Sequence, residues 1–163
     1  MANSPNAQRT TARQFNAAPL PFAASVLDQT WYVLNRAAQR LRLAVEVALA
    51  PLGLRRRHYA ALGLLEVAAP LSQQELANRI PLDRASVVLV VDDLERLGFA
   101  ERRPDPTDRR AYNIVLTPPG RDALHDARRR VAAAQAAGFA PLTADEVAAL
   151  DALSRRICGW EQL

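Results

Sequence analysis

The chain has 163 residues, 50% of them hydrophobic and 23% charged, with a formal net charge of +4. A single Cys excludes an intramolecular disulfide, and one Cys with two His cannot close a four-ligand zinc site unaided. No apolar run approaches the roughly 20 residues needed to cross a bilayer, so the expectation is one core-forming domain outside the membrane. All 21 basic residues are Arg and 32 positions are Ala, a bias that a GC-rich genome also produces. The total charge therefore says little about partners; its distribution says more. Residues 1–58 carry +6, 59–78 carry −2, 79–130 carry +2 and 131–163 carry −2, which predicts a polarised surface.

Residues 1–21 are polar and Ala-rich with three prolines and predict a flexible arm. They lack a basic-then-apolar leader, and with one Cys the expected setting is soluble, reducing and cytoplasmic. Ala24 to Ala50 is free of Pro and Gly, and the spacing of Val26, Val33, Leu34, Ala37, Leu41, Ala44, Val45 and Ala48 predicts a long amphipathic helix. A second helix is predicted from about Arg55 to Ala68, opening on the Arg55-Arg56-Arg57 run. Leu71 to Leu76 opens a short third helix, in which Ser72 and Glu75 have the spacing of a capping box. Asp83 is placed to cap a fourth helix that ends near Leu97, with Gly98 as its stop.

Two extended runs follow, Phe99 to Arg103 and Ala111 to Leu116, joined by a turn-rich tip from Pro104 to Arg110. Thr117 caps the next helix with Pro118 at its first position, where a missing N–H does no harm. Leu124, Ala127, Val131 and Ala134 form its apolar stripe. The last helix, Ala144 to Trp160, carries Val147, Leu150, Leu153, Ile157 and Trp160 on one stripe.

Two short helices joined by a tight turn and followed by a two-stranded hairpin make a winged helix-turn-helix. The predicted fold class is therefore mainly α with a small β-wing. The second helix of such a pair fits the major groove of DNA, and a basic hairpin tip reaches phosphates and the narrow minor groove.

Four stretches sharpen this reading: Gln73-Gln74-Glu75-Leu76-Ala77, Leu82-Asp83-Arg84, Val91 to Phe99, and Glu101-Arg102-Arg103. Together with a wing reading Asp108-Arg109-Arg110-Ala111-Tyr112-Asn113-Ile114-Val115-Leu116-Thr117, they resemble the MarR family of bacterial transcription regulators. The family's wing pattern is Asp-x-Arg-xxx-Leu-x-Leu-Thr, with Ile114 here for the first Leu. The helix order extends the resemblance over about residues 24–161. It implies a homodimer in which 22–52 and 118–163 form a helical dimerisation bundle and 53–117 form a DNA-binding winged domain. The competing arrangement is a monomeric bundle that covers its own stripes.

The resemblance also assigns residues. Arg110 sits at the wing-tip position that enters the minor groove, with Asp108 placed to hold the tip in shape; the bland alternative is a solvated turn. Arg109 and Arg103 are expected on phosphates, as are Gln73 and Gln74. Arg84 and Ser86 lie in the first turn of the recognition helix, within reach of base edges or phosphates. Val88, Leu89 and Asp93 depart from the family's polar or basic pattern. Two readings stand for Val88 and Leu89: they face DNA, where they could meet only thymine methyls, or they pack inward.

Trp31 and Arg36, with His58 and Tyr59, are candidates to line a cleft for a small anionic aromatic effector, against ordinary packing plus a surface Arg. Cys158 does not match the reactive Cys of peroxide-sensing members and is expected to be a buried structural thiol, while His125 is expected on the surface. No Gly-rich phosphate loop, Gly-x-Ser-x-Gly elbow or Cys pair is present, so no enzyme, cofactor or metal is expected. The functional expectation is a dimeric, sequence-specific DNA-binding regulator, a repressor released from a pseudo-palindromic operator by a small ligand. The alternative is a winged-helix protein-interaction module with weak or no DNA binding.

Overall fold

A computed structural model of the chain describes residues 28–80, 82–106 and 111–160. The predicted arm at 1–21 lies outside the described residues. The chain divides into two compact units, residues 1–39 and 40–163. Helix α1, Thr30–Leu49, opens in the first of these, where the Gln29 carbonyl accepts the N–H groups of Tyr32 and Val33. Trp31 donates its indole N–H to Gln29 Oε1 at 2.8 Å and meets the Tyr32 ring edge-on.

In the second unit α1 ends at the buried Leu49, and a single 3₁₀ turn, Ala50–Leu52, follows. Gly53 closes that turn in a left-handed conformation (φ 70°), which Gly adopts at no steric cost. Then come α2 (Arg56–Ala68), β1 (Leu71–Ser72), α3 (Gln73–Arg79), α4 (Arg84–Arg96), β2 (Ala100–Pro104), β3 (Tyr112–Leu116), α5 (Pro118–Phe139) and α6 (Ala144–Ile157). The sheet is antiparallel in the order β1-β3-β2, with Leu71 opposite Ile114 and Arg102 opposite Ile114 from the other side. The hairpin expected from the sequence is thus the larger part of a three-stranded sheet. Its third strand has two residues, too few to show a period-2 pattern.

The core gathers around α4, whose Val87, Val90, Val91 and Leu94 are all buried. Leu62 and Leu65 of α2, Leu76 of α3, Ile114 of β3 and Leu124 of α5 complete it. The start of α5 is pinned to the end of the winged motif. Thr117 accepts the Gly120 N–H at 3.0 Å and donates its hydroxyl to the Gly98 carbonyl at 2.6 Å. This brings the backbone so close that a Cβ on Gly120 would lie 1.9 Å from the Phe99 carbonyl oxygen, so only Gly fits.

Helix α6 is capped by a Thr143–Glu146 capping box but buries none of its residues. Leu153, Ile157 and Trp160 stay exposed, the last two at 75% and 55%. It ends at Ile157, three residues before the predicted end, where Cys158 is the C-cap and Gly159 is left-handed. Cys158 is exposed in the single chain, not buried as expected, and it follows Leu153 and Ile157, which the described residues also leave exposed. His125 is on the surface, as expected.

Candidate nucleic-acid interface

The α3–turn–α4 motif is fixed by side-chain caps at both helix starts. Ser72 Oγ accepts the Glu75 N–H at 3.2 Å, and Glu75 Oε2 accepts the Ser72 N–H at 2.9 Å. These bonds, the backbone one foremost, hold the Glu75 carboxyl below its ordinary pKa. Asp83 accepts the Ser86 N–H at 2.8 Å and the Ser86 hydroxyl at 2.7 Å. Its carboxyl is lowered chiefly by that hydroxyl. Ser86, a candidate DNA contact, therefore already donates its hydroxyl within the cap.

Helix α4 has two clean faces. Val87, Val90, Val91 and Leu94 point into the core, whereas Arg84, Ala85, Val88, Leu89 and Asp92 point outward. Val88 is 41% and Leu89 58% exposed, which settles the two sequence readings in favour of outward placement. Arg84 is exposed and has no ion pair among the described residues.

Two clamps fix the rotation of α4. On one side Arg102 of β2 pairs with Asp92 at 2.7 Å and with Glu95, and Glu95 also accepts the Arg102 N–H at 2.8 Å. On the other side Asp93 meets His58 Nε2 at 3.2 Å, Arg96 at 3.1 Å and Arg57 at 3.5 Å. The bond from Arg96 is the main reason the Asp93 carboxyl titrates below its ordinary range. His58 is only 3% exposed, and its Nδ1 accepts the Arg55 N–H at 3.1 Å at the start of α2. That acceptor role places the proton on Nε2, facing Asp93. Burial, with Arg57 second, holds His58 neutral by lowering its pKa below 6.5. Asp93, which breaks the family's basic pattern, is thus a strut between α4 and α2.

In the wing, Asp105 donates its N–H to the Ala111 carbonyl at 3.0 Å and accepts from Asn113 Nδ2 at 2.7 Å, closing the hairpin below its tip. Arg103 is 65% exposed and pairs with Glu101 of its own strand. Asp108, Arg109 and Arg110 lie outside the described residues. Gln74 donates to Asn78 at 2.9 Å, and Gln73 leaves its buried Nε2 without a partner among the described residues. Arg84, Ser86, Gln73, Gln74 and Arg103 are all carried by α3, α4 and β2 of one compact unit.

The four candidate ligand residues divide otherwise. Trp31 and Arg36 are exposed residues of the first unit, while the buried His58 and half-buried Tyr59 belong to the second. A depression of about 320 Å³ lies on the wing, lined by Ala69, Pro70, Arg103, Pro104, Pro106, Asn113 and Val115, and includes none of the four. Among the described residues no His, Cys, Asp or Glu cluster could hold a metal ion, and no helix is long and apolar enough to cross a membrane. Sequence reasoning missed the roles of Arg102 and Asp93 altogether. Its available signal was the Asp92–Glu95 spacing of one helical turn, followed seven residues on by an Arg.

Comparison with known proteins places this geometry. The family model described as MarR family matches residues 52–111. A Thauera aromatica protein whose name assigns it to regulation of the hcr operon is 48% identical over 65 residues. These are 38% of this chain and only 39% of that protein's length. The HTH-type transcriptional repressor Rv2887 of Mycobacterium tuberculosis is 33% identical over 115 residues, 71% of this chain and 83% of the repressor. Among solved structures, a MarR-family transcriptional regulator from Rhodococcus sp. RHA1 is 31% identical. It superposes with a TM-score of 0.70 over 85% of this chain and 96% of its own. CouR from Rhodococcus jostii RHA1, bound to p-coumaroyl-CoA, is 34% identical with a TM-score of 0.66, over 80% and 92%. Matches this extensive, on a winged helix-turn-helix built from this chain's own caps and clamps, make the chain a member of the MarR family of transcriptional regulators.

Proposed function

We propose that this regulator is a homodimeric repressor that occupies a pseudo-palindromic operator and leaves it when a small ligand binds. Proteins of its family bind DNA and are not enzymes. The observation that carries the proposal is α4: a helix clamped on two sides by ion pairs, with Arg84, Val88 and Leu89 exposed on its outward face and no ion pair on the Arg84 guanidinium among the described residues. Residues 53–117 act as the DNA-binding domain, with α4 in the major groove and Arg110 in the minor groove. Asp108 shapes the wing tip, and Arg103, Arg109, Gln73 and Gln74 hold the backbone. Arg84 reaches a base edge or phosphate, and Ser86 contributes through the cap that orients it.

Residues 22–52 and 118–163 form the dimerisation region. The exposed Leu153 and Ile157 of α6 and Trp160 just after it support this, because apolar side chains left exposed in one chain are stabilised by a second copy. His58, whose nitrogens are both engaged, and the half-buried Tyr59 of the second unit are candidate ligand residues, and so, separately, are the exposed Trp31 and Arg36 of the first. The p-coumaroyl-CoA bound by CouR supports an anionic aromatic class of effector. Such a ligand acts by moving the two recognition helices away from a spacing of roughly one DNA turn, about 34 Å.

Exposed Val88 and Leu89 favour a second reading, a winged-helix surface for a protein partner. Selection of duplexes from a random library by the full chain separates the two. The DNA reading expects a pseudo-palindromic motif bound with steep salt dependence, and recovery of no motif overturns it. Repression is tested by whether bound protein blocks transcription from a promoter carrying that motif.

A further inference from the structure

We propose that Val88 and Leu89 read thymine C5-methyl groups in the major groove, so that bases beneath the middle of α4 are chosen by apolar contact. The proposal rests on the DNA-binding reading above and narrows it to a base chemistry. The outward face of α4 carries two stripes at helical spacing, Arg84–Val88–Asp92 and Ala85–Leu89. Reading a base edge by hydrogen bonds needs free donors or acceptors on that face, and almost none remain. The Ser86 hydroxyl donates to Asp83, and Asp92 is held by Arg102. Among the described residues of that face Arg84 alone keeps an unpaired donor set, and it sits at the first helical position, one turn before Val88.

Val88 and Leu89 have no place in the core, where Val87, Val90, Val91 and Leu94 already fill the inward face of α4. The apolar group that the major groove offers is the thymine methyl. Charge selects DNA over an apolar protein surface as the occupant. The exposed guanidinium of Arg84 flanks the pair on its own helix, and the carboxylates of the C-terminal half are neutralised by Arg102, Arg57 and Arg96. A polyanion with a methyl-bearing floor matches that pattern.

The test uses the full chain and the duplex it selects from a random library. Each thymine of a selected half-site is replaced in turn by 2′-deoxyuridine, which pairs identically and lacks only the methyl, and affinity is followed by fluorescence anisotropy. Binding is expected to weaken about fourfold at one or two thymines, the loss that follows from exposing one methyl-sized group. The double variant Val88→Ala with Leu89→Ala, at positions exposed in the chain, should bind thymine and uracil duplexes alike. Equal binding of both duplexes by the wild type overturns the proposal and leaves the DNA-binding reading standing. Discrimination that survives in the double variant overturns it too. Enrichment of no duplex removes both readings together. The wild-type arm requires no altered protein, so a folding defect in the variant cannot mask the answer.

Discussion

Replacing His58 by Phe keeps the volume of a buried ring and removes both of its hydrogen bonds. The Arg55 N–H loses its acceptor at 3.1 Å, worth about 1 kcal/mol for a neutral bond. Asp93 loses the donor at 3.2 Å, a charge-assisted bond for which about 1.5–3 kcal/mol is usual. The lower end applies, because Arg96 and Arg57 remain and the Asp93 side chain is 31% exposed. The expected destabilisation is therefore about 2–3 kcal/mol at neutral pH. The pH dependence is sharper still. His58 is held neutral in the folded chain below its ordinary pKa, so between that lowered value and 6.5 the unfolded chain binds the extra proton. Stability of the wild type must then fall as pH drops below 6.5, by at most about 1.4 kcal/mol per pH unit from this group. The Phe variant lacks this contribution. Urea unfolding followed by circular dichroism, at a fixed protomer concentration and at pH 7.5, 6.5 and 5.5, measures both effects. A variant within about 0.5 kcal/mol of wild type at pH 7.5, or one showing the same acid loss, would refute the strut.

Further outcomes are expected of single substitutions. Gly120→Ala should destabilise by about 3 kcal/mol or prevent folding, because the new Cβ meets the Phe99 backbone, which cannot step aside. Gly138→Ala meets only the end of the Leu41 side chain at 2.6 Å and should cost far less, so similar thermal melts for the two would contradict the packing at α5. Arg102→Ala uncouples α4 from β2 and leaves Asp92 and Glu95 unneutralised beside DNA. Duplex affinity should drop roughly tenfold or more in an anisotropy titration, with partial rescue by Lys. Ile157→Asp places a charge on a side chain 75% exposed in the single chain, so secondary structure should survive while light scattering reports a monomer. A dimer of unchanged mass would remove α6 from the interface. Arg110→Ala should weaken binding to the selected duplex markedly, and unchanged affinity would discard the wing assignment.

What the sequence disclosed follows the range of the interactions. Ser72 with Glu75, Asp83 with Ser86, and Thr117 with Gly120 are caps spanning three residues, and the spacing of the first pair, the residue type of Asp83 and the Thr117-Pro118 step placed three helix starts. The two extended runs of the hairpin, read from the turn-rich tip between them, were equally local. β1 was not legible, because a two-residue strand exists only through its pairing with Ile114 and Asn113 some forty residues away. His58 and Asp93 are 35 residues apart, and no spacing rule links them. Even so, His58 stands three residues after the helix cap, where a capping box carries Glu or Gln. Cys158 was expected to be buried in a dimerisation region, and the single chain leaves it exposed together with Leu153 and Ile157.

The same distinction explains why α4 carries so many ion pairs. Burying Val87, Val90, Val91 and Leu94 supplies most of the attraction that docks the helix, but apolar burial is non-directional and proportional to area. Val88 and Leu89 add apolar surface beside that face, but turning the helix by one residue, a rotation of about 100°, would carry Asp92 and Glu95, or Ser86 and Asp93, inward with them. What such a turn cannot preserve is the position of Asp92 and Glu95 against Arg102, or of Asp93 against His58 on the opposite side. Hydropathy thus selects the buried face, and the carboxylates reinforce that choice in a helix that still shows Val88 and Leu89 on its outer side.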